Sequence, residues 1–142
     1  MNGKTATKAL LIATACIEAP TGLLLLAVPS GVAAVLLGAS VDSSVGRLLG
    51  RLAGVALISL GIACGLGSRD AQGQATVGLV AAMLFYNLVA ATLLVSARFG
   101  AGLPGMGLLP VAALHAGLAV GCLFCLRASA TVRKEFSREV PR

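Results

Sequence analysis

The stretch Ala75–Ala97, ATVGLVAAMLFYNLVAATLLVSA, decides the fold. It contains no Asp, Glu, Lys or Arg, and only Tyr86 and Asn87 interrupt its middle. As a helix it measures about 35 Å at 1.5 Å per residue, enough to cross the ~30 Å of hydrocarbon in a bilayer. A soluble surface helix of that length would carry a polar face. This one reads as a membrane span.

Three further runs read the same way. The first is Ala9–Val28, broken only by Glu18 and the Pro20-Thr21 step. The second is Leu48–Leu66, and the last is Leu108–Leu126. Lys4 and Lys8 ahead of Ala9–Ile17 also fit the n- and h-regions of a signal peptide. The apolar run resumes through Leu23–Leu26, however, which favours a retained first span.

The connections are short. Gly67–Gln74 joins the second and third spans, and Gly100–Gly105 joins the third and fourth. Between the first two spans, Val32–Leu37 is apolar but too short to cross, so it reads as an interfacial or re-entrant helix with Ser30 as its N-cap. Short connections make neighbouring spans antiparallel. The expected fold is therefore all-α: an integral membrane antiparallel four-helix bundle in one domain, residues 1–142, with a short interfacial helix after the first span.

Composition agrees. Of the 142 residues, 58% are hydrophobic and 11% are charged, against about a quarter charged in soluble domains. A soluble chain this short could not bury so much apolar surface. The net charge of +6 would raise nucleic acid as a partner, but one Tyr and no Trp offer no stacking surface. The charges instead sit at the ends of the spans, which makes the lipid bilayer the expected partner.

Their distribution gives an orientation. With the N-terminus inside, Lys4, Lys8, Arg69, Arg127, Arg133, Lys134, Arg138 and Arg142 lie on the cytoplasmic side. Only Arg47 and Arg98 lie opposite, with Arg51 within the second span. The positive-inside rule then places both termini in the cytoplasm of a cell with this chain in its inner (plasma) membrane. The basic tail, residues 127–142, has Val132, Phe136 and Val140 at four-residue spacing. It reads either as a helix lying on the anionic leaflet or as a solvated tail.

Helices in lipid associate through close packing at small residues. Gly46, Gly50 and Gly54 make one such seam on the second span. Ala113, Gly117 and Gly121 make another on the fourth. These seams suit internal packing first and a dimer face second.

Four spans each bring a polar group into the hydrocarbon: Glu18, Arg51, Tyr86 with Asn87, and His115. Counted from the outer helix ends, all lie in the outer half at similar depth, which predicts one polar cluster. Glu18 is the most demanding. A central charge costs about 2.5–3.5 kcal/mol on insertion scales, while the nine Leu, Ile and Val residues of its span return only about 3–5 kcal/mol. The carboxyl is expected to be either protonated or paired, with Arg51 and His115 as its candidate partners. The plainer readings are that Arg47 and Arg51 snorkel to the interface and that Asn87 and His115 are helix-helix glue.

Cys122 and Cys125 form a C-x-x-C on the fourth span, with Cys64 at similar depth. Thiols in apolar surroundings read as small hydrophobes rather than metal or redox ligands, so no metal and no cofactor is expected. A lone His cannot make a bis-histidine haem site within one chain. No nucleotide loop, triad or paired-carboxylate pattern occurs, and no enzymatic role is expected.

Several stretches together resemble a known group: Thr21-Gly22-Leu23-Leu24 leading to Pro29; Gly50-Arg51-Leu52-Ala53-Gly54 running to Leu60-Gly61-Ile62-Ala63-Cys64; Tyr86-Asn87-Leu88; and Pro110 followed by His115. The set resembles small, uncharacterised bacterial inner-membrane proteins with four transmembrane helices, over nearly the whole chain. That group carries aromatic residues, often Trp, near Pro110 and after Cys64, where this chain has Leu109 and Gly65. The resemblance implies the topology and assigns no activity.

The functional expectation is an accessory or interaction subunit, in a homo-oligomer or a larger membrane complex. The alternative is a small oligomeric proton-coupled transporter using Glu18. Small multidrug transporters are similar in having four helices with a Glu in the first, but this chain lacks their Trp and Tyr lining.

Overall fold

A computed structural model describes residues 3–139, with side chains through Thr131. Among these residues the order is α1 (Gly3–Ala27), α2 (Pro29–Leu37), α3 (Ser44–Gly67), a single 3-10 turn (Ser68–Asp70), α4 (Gln74–Phe99) and α5 (Leu108–Glu139). The chain is a helical bundle, and four of its helices are long and apolar enough to cross a membrane. This is the pattern of a multi-pass membrane protein.

Its surface fits lipid. Phe85 is 72% and Val120 69% exposed, among some two dozen large apolar side chains on the outside. In water such a surface would aggregate. The hydroxyls on the same surface do not look outward for partners. Those of Thr21, Ser59 and Thr92 each donate to the carbonyl four residues back in their own helix, at 2.7–2.9 Å. A hydroxyl in hydrocarbon is satisfied in this way without water.

The helix ends follow local chemistry. Pro20 sits inside α1 and cannot donate to the carbonyl of Cys16, and α1 nevertheless continues to Ala27. Pro29 then opens α2 at its first helical position, the one place where a missing N–H costs nothing. The N-cap of α2 is Val28, not Ser30 as the sequence suggested. Ser30 Oγ donates instead to the Val41 carbonyl at 2.7 Å, tying α2 to the segment that follows it. Gly38 ends α2 with φ of 76°, the left-handed cap that glycine adopts without strain.

The helix α3 starts four residues before the expected Leu48 because Ser43 caps it, accepting from the Gly46 N–H at 3.0 Å. Ser43→Ala is expected to lower stability by about 1 kcal/mol, read from the unfolding midpoint in bicelles. The turn into α4 is stitched by Thr76 Oγ1, which donates to the Asp70 carbonyl at 2.7 Å. At the other end, α5 runs without a break past Arg127 to Glu139. The tail is thus a continuation of the last span for most of its length. The expected face of Val132, Phe136 and Val140 lies outside the residues whose side chains are described.

Two tight helix pairs make up the bundle. α1 packs against α3 along most of its length, and α4 against α5. The pairs meet along a much thinner seam, chiefly α1 against α5, with α3 barely touching α4. The buried core on this seam comprises Ala6, Leu11, Cys64, Val80, Met83, Cys122 and Cys125, with Tyr86 packed beside it.

The α3 glycines explain the first pair. A Cβ on Gly54 would lie 2.6 Å from the Gly22 carbonyl, and one on Gly61 would lie 2.9 Å from the Ala19 side chain. Gly50 admits Pro29 in the same manner at 2.8 Å. The α3 seam therefore packs on α1 and the start of α2, rather than meeting the α5 seam. Gly46 faces the Val41–Ser43 loop. On α5, Gly121 approaches Leu10 of α1, whereas Gly117 is exposed with open space about it and takes no part in internal packing.

Candidate functional site: a buried polar junction

Four polar side chains converge between the pairs. Glu18 comes from α1, Tyr86 and Asn87 from α4, and His115 from α5. Glu18 is 2%, Asn87 0% and His115 8% exposed, and Tyr86 is partly buried.

Asn87 is the organiser. Its Nδ2 donates to the Met83 carbonyl in its own helix at 2.8 Å, so its Oδ1 faces α5. There it lies 2.8 Å from His115 Nδ1. An amide oxygen only accepts, so Nδ1 carries the proton in this bond. In the neutral ring, Nε2 then keeps a lone pair. Tyr86 meets the same imidazole edge-on, with ring centroids 5.5 Å apart at 84°. One residue thus locks the tautomer while its neighbour holds the ring plane.

Glu18 reaches this group from the other pair. The Tyr86 hydroxyl donates to Glu18 Oε2 at 3.5 Å, the outer limit of a hydrogen bond. Oε1 is buried with no partner. Outside the turn joining α3 to α4, Tyr86–Glu18 is the one side-chain hydrogen bond between the pairs among the described residues.

Arg51 is not part of the junction. It is exposed near the N-terminal end of α3. The Ala19–Gly61 and Ala15–Gly65 contacts put Glu18 level with about Ile62, so Arg51 stands roughly 16 Å away along the axis at 1.5 Å per residue. The reason is a stagger. Pro29 lies against Gly50, so the first two turns of α3 extend beyond the end of α1, and depth counted from each helix end separately overlooks this.

Two residues of the junction's surroundings carry weak sequence signals. Thr14, one turn below Glu18 on the same face of α1, is buried at 1% exposure. Cys64 is fully buried and lies within one turn of the Glu18 level on α3. Four-residue spacing from Glu18 would have found Thr14, whereas Cys64 requires the α1–α3 register. Cys64, Cys122 and Cys125 share the core as free thiols, and Cys16 is exposed. Among the described residues, no group of three or more His, Cys, Asp and Glu is placed to hold a metal ion.

Compared with known proteins, the chain matches no family model, no curated protein and no solved structure. The junction is therefore read on its own geometry.

Proposed function

We propose that this protein is an accessory or interaction subunit of a bacterial inner membrane, without enzymatic chemistry, whose polar junction serves assembly. Both termini face the cytoplasm in this reading, as the Lys and Arg distribution favours. One observation carries it: Glu18, Asn87 and His115, one from each of three spans, are turned inward and packed. Asn87 bonds both its own helix and His115 of the next, the arrangement of polar glue between helices.

Native mass spectrometry from mild detergent tests the role. An oligomer or a stable complex with another membrane protein is the expected result, and a strict monomer that copurifies with nothing overturns it. Threading is tested separately. A membrane-impermeant reagent applied from the periplasm should fail to modify the chain beyond Arg127.

A second reading is favoured by one atom, the unpartnered Glu18 Oε1. In it the protein is a small oligomeric proton-coupled transporter with Glu18 as carrier. Glu18→Gln should then abolish pH-driven flux in liposomes, and unchanged flux removes this reading.

A further inference from the structure

The bundle is built as two helix pairs, joined at one end by Thr76 on the α3–α4 turn and at the other by the Gly107 N–H on the Val35 carbonyl of α2 at 3.3 Å, with one side-chain polar contact across the seam between them. α1 and α3 pack backbone to backbone at Gly22, Gly54 and Gly61. α4 and α5 are joined by their own packing and by Asn87–His115. Between these halves stands the carboxyl of Glu18, held only by Tyr86.

We infer that Glu18 is a proton-binding site that latches the α1–α3 pair to the α4–α5 pair, and that losing this proton lets water into the seam and parts them. This goes beyond the assembly reading. There the junction is permanent, and here a single proton decides whether it holds.

The closed seam lacks the donors that a buried carboxylate requires. An ionised carboxylate draws a hydroxyl to roughly 2.5–2.7 Å. Here the Tyr86 hydroxyl stays at 3.5 Å and the second oxygen has no donor at all. The titratable groups about Glu18 are few: Tyr86 of α4 touches it, Cys64 of α3 lies within one turn of its level, and His115 of α5 stands behind Tyr86. None is a fixed cation. Arg51 is far along the axis, and His115 directs Nδ1 to Asn87 rather than to the carboxyl.

The step balances simply. The O–H bond of the carboxylic acid breaks, and its proton passes to a water molecule entering the seam. The carboxylate left behind is solvated by the entering water, which takes the place of the distant Tyr86 hydroxyl. Reprotonation expels the water and restores the packing.

The chain carries its own reporter. It has one Tyr and no Trp, so all its tyrosine emission comes from the junction. The full-length protein in lipid nanodiscs would be titrated from about pH 5 to about pH 9, below the range in which a free phenol ionises. Emission is expected to fall as the pH rises, because the entering water quenches the excited phenol. Glu18→Gln should be flat, while His115→Gln should retain the titration. A flat wild-type curve, a titrating Glu18→Gln, or a titration lost in His115→Gln with Glu18 intact overturns the inference.

A second measurement needs no folded variant. Infrared spectra of the wild-type protein should show a protonated carboxylic acid band that disappears over the same pH range as the emission changes, and a band that does not change over that range also overturns the inference. Alkylation of Cys64, located by peptide mass spectrometry, adds the opening itself. At one alkaline pH it should be roughly tenfold or more faster in wild type than in Glu18→Gln, as expected for a buried site exposed by a local opening. Equal rates overturn the parting of the pairs. The outcome is independent of the oligomer measurement: a monomer that titrates refutes assembly alone, and an oligomer that does not titrate refutes the latch alone.

Discussion

Replacing Gly54 by alanine is expected to destabilise the folded protein by about 1–3 kcal/mol, the usual cost of forcing atoms into a close-packed contact. The added Cβ would lie 2.6 Å from the Gly22 carbonyl oxygen and 2.7 Å from the Leu26 nitrogen. Both are backbone atoms of a continuous helix, so neither can rotate away. α1 and α3 must separate instead, and the separation spreads to the Ala19–Gly61 contact about two turns further along. In lipid no hydrophobic term compensates, because the tails are as apolar as the side chains they replace. Gly117→Ala provides the control on the same chain. Its Cβ would meet nothing within 4 Å, and the expected change is within about 0.5 kcal/mol. Reversible unfolding in bicelles, followed for both variants, makes the comparison. Equal effects would show that the α1–α3 contact is not the close seam described.

The second large effect is at Asn87. Asn87→Leu removes the acceptor of His115 Nδ1 and leaves that N–H buried without a partner, at a cost of about 1–3 kcal/mol. The net value of the pair is smaller, since polar couplings between membrane helices average about 0.6 kcal/mol and reach about 1.7 kcal/mol. The double variant Asn87→Leu with His115→Phe should therefore recover part of the loss. Strict additivity of the two single changes would mean that the pair carries no coupling. Nitrogen NMR of the imidazole gives an independent check, because the proton is expected on Nδ1 in the wild-type protein and released from that preference in Asn87→Leu.

Much of this architecture was legible before any coordinates. The uncharged run around Tyr86 announces a span by length alone, whereas the start of α3 at Ser44 lies ahead of its long apolar run and is set by the Ser43 cap. The polar residues worth attention were also visible, since Glu18, Asn87 and His115 stand out against hydrocarbon wherever they point. The misplacement of Arg51 is instructive. Its helix starts four residues earlier than the apolar run and extends past the end of α1, so similar counts along two helices are not similar heights. Gly117 failed for a related reason: the small-residue pattern showed that a helix face could be approached, and said nothing about whether a neighbour was there.

The amino-acid sequence alone determined the solvent in which this chain is built, the number of its spans and the residues that must justify their polarity. Those properties add up residue by residue along one helix, because transfer into lipid depends on each side chain and on length. Tertiary structure alone decided that α1 takes α3 while α4 takes α5, that Asn87 holds His115, and that Glu18 hangs across the gap from Tyr86. Such choices depend on how far one helix is shifted and turned against another. Backbone contact at Gly22, Gly54 and Gly61 sets that offset, and no single helix contains it.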